Sequence, residues 1–276
     1  MRIWINGSLV DAARASVPAN DNGLTVGDGV FETLKVLNGT PFALSRHLDR
    51  LAASGRALGL AVPTADELRL AVGELLTANA GELPAAARLR ITVTGGPSPL
   101  SPERGGGPST VVIGVAPLTP WPPAVDVVVV PWTRNERGAL TGVKSTSYAE
   151  NVRALAHAKE RGGAEAIFAN TVGELCEGTG SNVFLGIGGR LVTPPLASGC
   201  LAGVTRGLLL EWTDAIEEPL PLEALGRADE VFLASTTREV LPVRAVDGRP
   251  LAAAPGPLTA LAARTYAERA AADADP

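Results

Sequence analysis

The residues with the most chemical promise lie in Thr141-Gly-Val-Lys-Ser-Thr-Ser-Tyr148, centred on Lys144. The chain carries 24 basic side chains, and only Lys35, Lys144 and Lys159 among them are lysine. Arginine replaces lysine here wherever a generic cation suffices. A lysine that persists against that bias is a candidate for work arginine cannot do, because a guanidinium keeps its proton and cannot form a Schiff base. The competing reading is a solvated surface cation, the usual state of a single charged residue.

Three later stretches are built to hold an anion and a polar ring. Gly199-Cys-Leu-Ala-Gly-Val-Thr-Arg206 is a Gly-bearing turn entering a helix. Its first amides and the Thr205 hydroxyl suit a phosphate at a helix N-terminus; a plain glycine loop reads equally well. Ala234-Ser-Thr-Thr-Arg-Glu239 clusters hydroxyls where an apolar strand ends. These either donate to phosphate oxygens or tie down a turn. Cys176-Glu-Gly-Thr-Gly-Ser-Asn-Val-Phe184 sets Glu177 before a glycine-rich turn, where a desolvated carboxylate needs a cationic partner. Placed after a Schiff-base lysine, the three suggest a pyridoxal phosphate site, with a carboxylate at the ring nitrogen and a cup for the phosphate.

These segments need elements to position them. Asn6-Gly7 turns a hairpin of residues 2–6 and 8–10. Asp21 to Gly29 is turn-rich and leads into a strand over 30–37, which Asn38-Gly39 returns into 41–44. Ser45 is the expected N-cap of a helix over 46–58, with Leu48, Leu51 and Leu58 on one face, and Thr64 caps a second over 66–78, with Leu68, Val72 and Leu75 inward. Strands follow at 87–94 and 110–116, separated by the Gly/Pro-rich loop 95–108, a lid candidate by its length. Three prolines in 118–125 mark a linker. Beyond it come a buried strand at 125–130 and a helix over 148–161 with Tyr148, Val152, Leu155 and Lys159 along one stripe. Short strands fall at 165–170, 173–176, 182–187 and 190–193, a helix at 203–213, strands near 229–234 and 240–246, and a last helix at about 258–271. The expectation is an α+β chain with a small domain over 1–117, the linker 118–125, and a larger domain over 126–276.

The totals exclude several classes. At 276 residues with a net charge of −5, the chain lacks the basic face that nucleic-acid binding needs. No apolar run approaches the ~20 residues of a membrane span, and the first residues do not read as a signal peptide. Cys176 and Cys200 form no CxxC pair, and His47 and His157 are the two histidines, so no metal site is expected. A reduced, cytoplasmic protein acting on a small molecule follows.

Six blocks together resemble the class IV aminotransferases, the fold-type IV pyridoxal phosphate enzymes. They are Gly27-Asp-Gly-Val-Phe-Glu-Thr33, Arg46-His-Leu-Asp-Arg-Leu51, Lys144, Glu177-Gly-Thr-Gly-Ser-Asn182, Leu201-Ala-Gly-Val-Thr-Arg206 and Ser235-Thr-Thr-Arg-Glu239. The resemblance runs over about residues 2–246. It implies a small N-terminal α/β domain, a larger C-terminal pseudo-barrel domain, pyridoxal 5'-phosphate as cofactor, and a homodimer. By the same resemblance Lys144 holds the cofactor as a Schiff base and shuttles the proton, and Glu177 pairs with the ring nitrogen. Arg50, Val204, Thr205 and Thr236 bind the phosphate, assisted by Ser235 and Thr237; Phe31 is a candidate for the substrate face, and Arg134, in Trp132-Thr-Arg-Asn135, is a candidate partner for a substrate carboxylate, with a surface arginine as the competing reading. A tyrosine that branched-chain enzymes place five residues after the lysine is absent, that position being Ala149.

Among family members, D-amino-acid enzymes carry an arginine and a histidine in the 95–105 loop, where this chain has Leu100 and Pro102, with Arg104 the nearby cation. Branched-chain enzymes have a tyrosine near position 26 and a glycine at 33; this chain has Val26 and Thr33. The lyases that split 4-amino-4-deoxychorismate into 4-aminobenzoate and pyruvate, a folate-pathway reaction, resemble it better through Gly27-Asp-Gly29 and Thr33. The first expectation is therefore that lyase, with Thr33 steering a proton. An aminotransferase for branched-chain or other small amino acids with a 2-oxo acid acceptor is the alternative, and a non-catalytic cofactor-binding protein a more distant one.

Overall fold

The computed structural model describes all 276 residues, which form two compact units. The first comprises Met1–Thr119, Val143–Tyr148 and Ala274–Pro276. Its elements are β1 (Arg2–Ile5), β2 (Ser8–Asp11), the short α1 (Asn22–Thr25), β3 (Gly29–Leu37), β4 (Thr40–Pro41), α2 (Leu44–Leu58), α3 (Ala65–Asn79), β5 (Ala86–Thr94) and β6 (Thr110–Pro117). The strands form one antiparallel sheet in the order β2-β1-β6-β5-β3-β4. Strand period puts Val30, Glu32, Leu34 and Val36 on one face of β3 and Phe31, Thr33 and Lys35 on the other. Leu34 and Val36 pack with Leu48, Leu51, Leu68 and Val72 of the two helices.

Thr64 caps α3 in a full capping box with Glu67. Ser45 does not cap α2. That helix begins one residue earlier, after Ala43 in the left-handed region (φ 53°), with no side-chain cap of its own. The far end of the chain supplies one. Ser45 donates its amide (2.7 Å) and its hydroxyl (2.5 Å) to the Asp275 carboxylate. Ala43 N–H donates to the Ala274 carbonyl (2.7 Å), and Arg46 Nε to the Pro276 carbonyl (2.7 Å). A carboxylate brought in from a distant residue thus takes the orphan donors a local Ser or Asp would serve. Asp275→Ala should remove about 1 kcal/mol of stability, the usual worth of a cap. Faster amide exchange at residues 44–47 would localise the loss, and unchanged exchange there would refute the capping role.

The second unit comprises Pro120–Gly142 and Ala149–Asp273. The stretch 143–148, which the sequence placed with the C-terminal domain, packs in the first unit. In the second unit are β7 (Val125–Arg134), α4 (Ala149–Glu160), β8 (Glu165–Asn170), β9 (Leu175–Gly178), β10 (Asn182–Ile187), β11 (Arg190–Thr193), α5 (Val204–Trp212), β12 (Ile216–Glu217), β13 (Glu230–Ser235), β14 (Glu239–Val246), β15 (Arg249–Pro250) and α6 (Pro257–Ala272). A nine-stranded sheet runs β12-β11-β10-β13-β14-β7-β8-β9, with β15 on β14. The β14–β7, β7–β8 and β11–β12 pairs are parallel, and the others antiparallel. Val125, Val127, Ile167, Val183, Leu233 and Val243 lie in its core.

The buried side of α4 is Asn151, Ala154 and Ala158, whereas Val152, expected inside, is 64% exposed. Small residues let α4 approach Val128, Val130, Ala166 and Phe168 closely, and Asn151 is drawn in by polar partners rather than by hydrophobicity. The chain is α+β, and no helix is long and apolar enough to cross a membrane.

Candidate active site

In the first unit, Lys144 sits in an irregular stretch stitched to the start of β3. Phe31 N–H donates to the Lys144 carbonyl (2.9 Å), and Lys144 N–H donates to the buried Ser54 hydroxyl (3.2 Å). Thr146 N–H reaches the Gly29 carbonyl (2.8 Å), and the Thr146 hydroxyl the Gly27 carbonyl (2.8 Å). Gly27 is required here: its φ is +71°, and a Cβ would stand 2.9 Å from Ser147 Oγ. The backbone is therefore fixed on both sides of Lys144, and its Nζ lies 4.5 Å from the Phe31 ring centre.

On the helix-facing side of β3, fully buried Glu32 holds Arg50 in a two-point ion pair, Nε–Oε1 and Nη2–Oε2, both 2.7 Å. His47 Nδ1 lies 2.7 Å from Glu32 Oε2. Burial alone would raise the Glu32 pKa, but the charge and hydrogen bonds of Arg50, with those of His47, hold it down to about 2. Burial pushes the His47 pKa down against the pull of Glu32, and the positive charges of Arg50 and Lys144 push the same way. A neutral His47 donating its Nδ1 proton to an ionised Glu32 satisfies both groups. Sequence reasoning chose Arg50 but missed the carboxylate that orients it.

The opposite face of β3 carries Phe31 and Thr33, whose register partners on β5 are Thr92 and Arg90. Arg90 lies 3.8 Å from the Phe31 ring centre, and the Tyr148 ring meets Phe31 edge-on at 5.4 Å. The Arg90 side chain hydrogen-bonds only to the Thr92 hydroxyl (3.2 Å) and has no carboxylate partner. Burial lowers its pKa, and Tyr148 partly offsets that. A guanidinium without an anion thus lies over the same Phe31 ring that the Lys144 amine approaches, and such a group can take a carboxylate. Nothing in the order of residues singles Arg90 out among the many arginines. Arg104 differs: its guanidinium forks onto Asp28 (2.7 Å twice) and donates to the carbonyls of Leu58 (2.9 Å) and Gly59, pinning the 95–108 loop.

In the second unit Glu177 lies near the end of β9. Its Oε2 accepts from Leu201 N–H (2.8 Å), and its Oε1 stands 3.4 Å from Arg134 Nε. Arg134 also donates to Glu150 (2.9 Å) and Asn151 (2.8 Å) and lies over the Phe168 ring at 4.2 Å. Its Nη1 is taken by Glu150 and Asn151, and its Nε faces Glu177 at ion-pair distance without a hydrogen bond. Cys176 and Cys200, both free and buried, have thiols raised by burial and then by the negative charge of Glu177, Cys200 to about 12. Neither is poised as a nucleophile.

Val204 and Thr205 occupy the first turn of α5, whose N-cap Gly203 offers no side-chain cap. The amides of that turn therefore need a partner from outside the helix. Asn182 donates to the Leu201 carbonyl (2.9 Å), and its Oδ1 lies so close to Gly203 that a Cβ there would collide with it. The Thr205 hydroxyl, expected to point outward, is buried and shares a hydrogen bond with Tyr266 of α6. Ser235 ends β13 opposite Glu239, so Thr236, Thr237 and Arg238 form the tight turn between β13 and β14.

The model of the family described as amino-transferase class IV matches residues 29–246. The chain belongs to that family. It is 36% identical over 261 residues, 90% of this chain and 89% of the other, to a Methanocaldococcus jannaschii protein provisionally named a branched-chain-amino-acid aminotransferase. It is 31% identical over 281 residues to the D-alanine aminotransferase of Bacillus licheniformis, covering 94% of this chain and 93% of that one. Among solved structures, the branched-chain aminotransferase of Thermoproteus uzoniensis with norvaline superposes with a TM-score of 0.89 at 32% identity, over 97% of this chain and 94% of that one.

Enzymes of this class use pyridoxal 5'-phosphate. The residues present fit it: a primary amine on a fixed backbone, a carboxylate steadied by an amide and an arginine, and an uncapped helix start kept open by Gly203.

Proposed function

We propose that this chain is an aminotransferase for branched-chain or similar small L-amino acids, working with a dicarboxylic 2-oxo acid such as 2-oxoglutarate. The observation that carries the reading is Arg90, an arginine without an anionic partner, 3.8 Å from Phe31. The aminotransferase names of the relatives support it over the lyase expected first. The engagement of Arg104 by Asp28 favours the branched-chain side over D-amino acids, since that loop then offers no loose cation.

In this reading Lys144 binds the cofactor through its amine and then moves the proton at the substrate α-carbon. Bound, pyridoxal phosphate supplies an aldehyde that condenses with amines and a ring that takes up the electrons released there. Glu177, steadied by Leu201 N–H and Arg134, keeps the proton at the ring nitrogen. The Val204 and Thr205 amides hold the phosphate, joined by Arg50 on its Glu32 fork and by the hydroxyls of Ser235, Thr236 and Thr237. Phe31 and Tyr148 wall off water. Thr33, opposite Arg90 on the next strand, helps shape the substrate face, because the lyase proton step first given to it is not part of transamination.

The test is a paired assay on one purified sample. L- and D-forms of valine and leucine are offered with 2-oxoglutarate or pyruvate, and aminodeoxychorismate is offered alone. Transamination of the L-donors is expected; 4-aminobenzoate with pyruvate would restore the lyase. Arg90→Met should lower kcat/KM for 2-oxoglutarate by about 10- to 100-fold, the worth of a hydrogen bond to a charged group. Monocarboxylic oxo acids should change little. An equal loss on both acceptor classes would remove Arg90 as the distal carboxylate's partner.

A further inference from the structure

The second unit contains a buried ion pair that transamination chemistry does not use. Glu165, at the start of β8, is 1% exposed, and Arg238, in the β13–β14 turn, is 9% exposed, with Nη1–Oε2 at 2.5 Å. Around this pair every acceptor direction of Glu165 is taken. Oε1 accepts from the Thr179 hydroxyl, from Thr179 N–H (3.1 Å) and from Ala166 N–H (3.1 Å); Oε2 accepts from the Ser181 hydroxyl (3.2 Å). The guanidinium lies 4.5 Å from the Trp121 ring centre. A buried Glu–Arg pair is on average no more stabilising than well-packed apolar residues, because both charges lose their hydration. Stability alone is therefore a weak reason for it.

Its position supplies a better one. Thr179 and Ser181 belong to the turn directly after Glu177, and Arg238 directly follows Ser235-Thr-Thr237. The same turn is reached from the other side, since Asn151 Nδ2 donates to the Thr179 carbonyl (2.8 Å) and Asn151 Oδ1 accepts from Arg134 (2.8 Å), which lies 3.4 Å from Glu177. A continuous polar chain thus runs Arg238, Glu165, Thr179, Asn151, Arg134, Glu177. Gly178 is held within it, as a Cβ there would meet Ser181 Oγ at 2.6 Å.

We infer that the Glu165–Arg238 pair is a positioning device that holds the Glu177 turn and the Ser235–Thr237 loop in one register. This rests on the reading of Glu177 and Thr236 as cofactor-binding residues. Glu165 and Arg238 touch neither cofactor nor substrate; they act through the two segments they join.

The experiment compares Glu165→Gln, Arg238→Met and Arg238→Lys with wild-type holoenzyme, reading the rate of cofactor loss on dialysis, the pH dependence of the cofactor's visible absorption, and Tm. Glu177→Gln and Thr236→Ala serve as controls. Small displacements at a distance cost up to about 10²-fold in rate. Glu165→Gln and Arg238→Met should approach that in kcat with little change in KM, release cofactor faster and shift the pH midpoint of the absorption. Arg238→Lys, which keeps the charge, should restore part of each. A lowered Tm with wild-type cofactor retention and pH midpoint would make the pair merely structural and overturn the inference. If Arg238→Met fails to fold, Glu165→Gln and Arg238→Lys decide on the same readouts. Controls that move the readouts while these variants do not would sink the inference alone; controls that move nothing would sink the cofactor reading beneath it.

Discussion

Lys144→Ala should abolish transamination, with a loss of at least about 10²- to 10⁴-fold from the missing proton-transfer group and disappearance of the visible absorption of lysine-linked cofactor. The fold should survive the change. Lys144 is held through its backbone, by Ser54 and by Phe31 N–H, and alanine keeps both bonds. The approach of the Lys144 side chain to the Phe31 ring is worth about 0.5–1 kcal/mol. Lys144→Arg sharpens the test, because it keeps the cation over Phe31 and removes only the ability to form a Schiff base. Both variants should be equally inactive and close to wild type in Tm. Turnover retained by either would overturn the assignment of Lys144.

The second large effect is expected at Glu32. Glu32→Ala strands His47, fully buried, and Arg50, 13% exposed, without their anion. Breaking a buried ion pair from one side costs about 3–5 kcal/mol. Arg50, freed from its fork, should also bind phosphate less well, so cofactor affinity should fall along with stability. The pH dependence follows from the direction of the shift. The Glu32 carboxyl titrates at about 2 in the folded chain against 4.5 for the free group. Its stabilisation, about 3 kcal/mol for a depression of that size, is complete above pH ~5 and is lost as pH falls through the window between the two values. His47, whose folded pKa lies below the free value of 6.5, acts in the same sense, starting as pH drops under that value. The stability difference between wild type and Glu32→Gln should therefore be flat near neutrality and shrink on acidification. A difference that stays constant down to pH 3 would show that Glu32 is not ionised in the folded protein.

Much of this architecture could be read from residues in order. Local rules worked where local chemistry decides: Asn6-Gly7 makes its hairpin, Thr64 and Glu67 make their capping box, and Leu68, Val72 and Leu75 face inward. Ser45 was misread because its helix takes its cap from Asp275, a partner 230 residues away that no local rule can see. The stripe on α4 was misread because hydrophobicity pointed to Val152, while a tightly packed parallel pair of strands admits only alanines and an asparagine with work to do. The same division runs through the site. Lys144 and Glu177 stand out by type and setting, whereas Arg90 is one of many arginines until strand register sets it across from Thr33 and over Phe31. The partners of Arg134 were equally out of local view, because Glu150 and Asn151 of α4 and Glu177 of β9 come from two segments distant from it in sequence.

The strand order of the second unit also bears on how the chain is made. β7 lies between β8, which follows it closely, and β14, which leaves the ribosome more than a hundred residues later; Val125 pairs with Val243. Until residues 239–246 have been synthesised, one side of β7 has no neighbour, and β13 waits for the same strand. Pairings this distant in sequence form slowly, and an apolar strand with an open edge recruits other chains in the interval. Nascent chains halted before position 239 should therefore be held by chaperones or aggregate, and release should coincide with the emergence of β14.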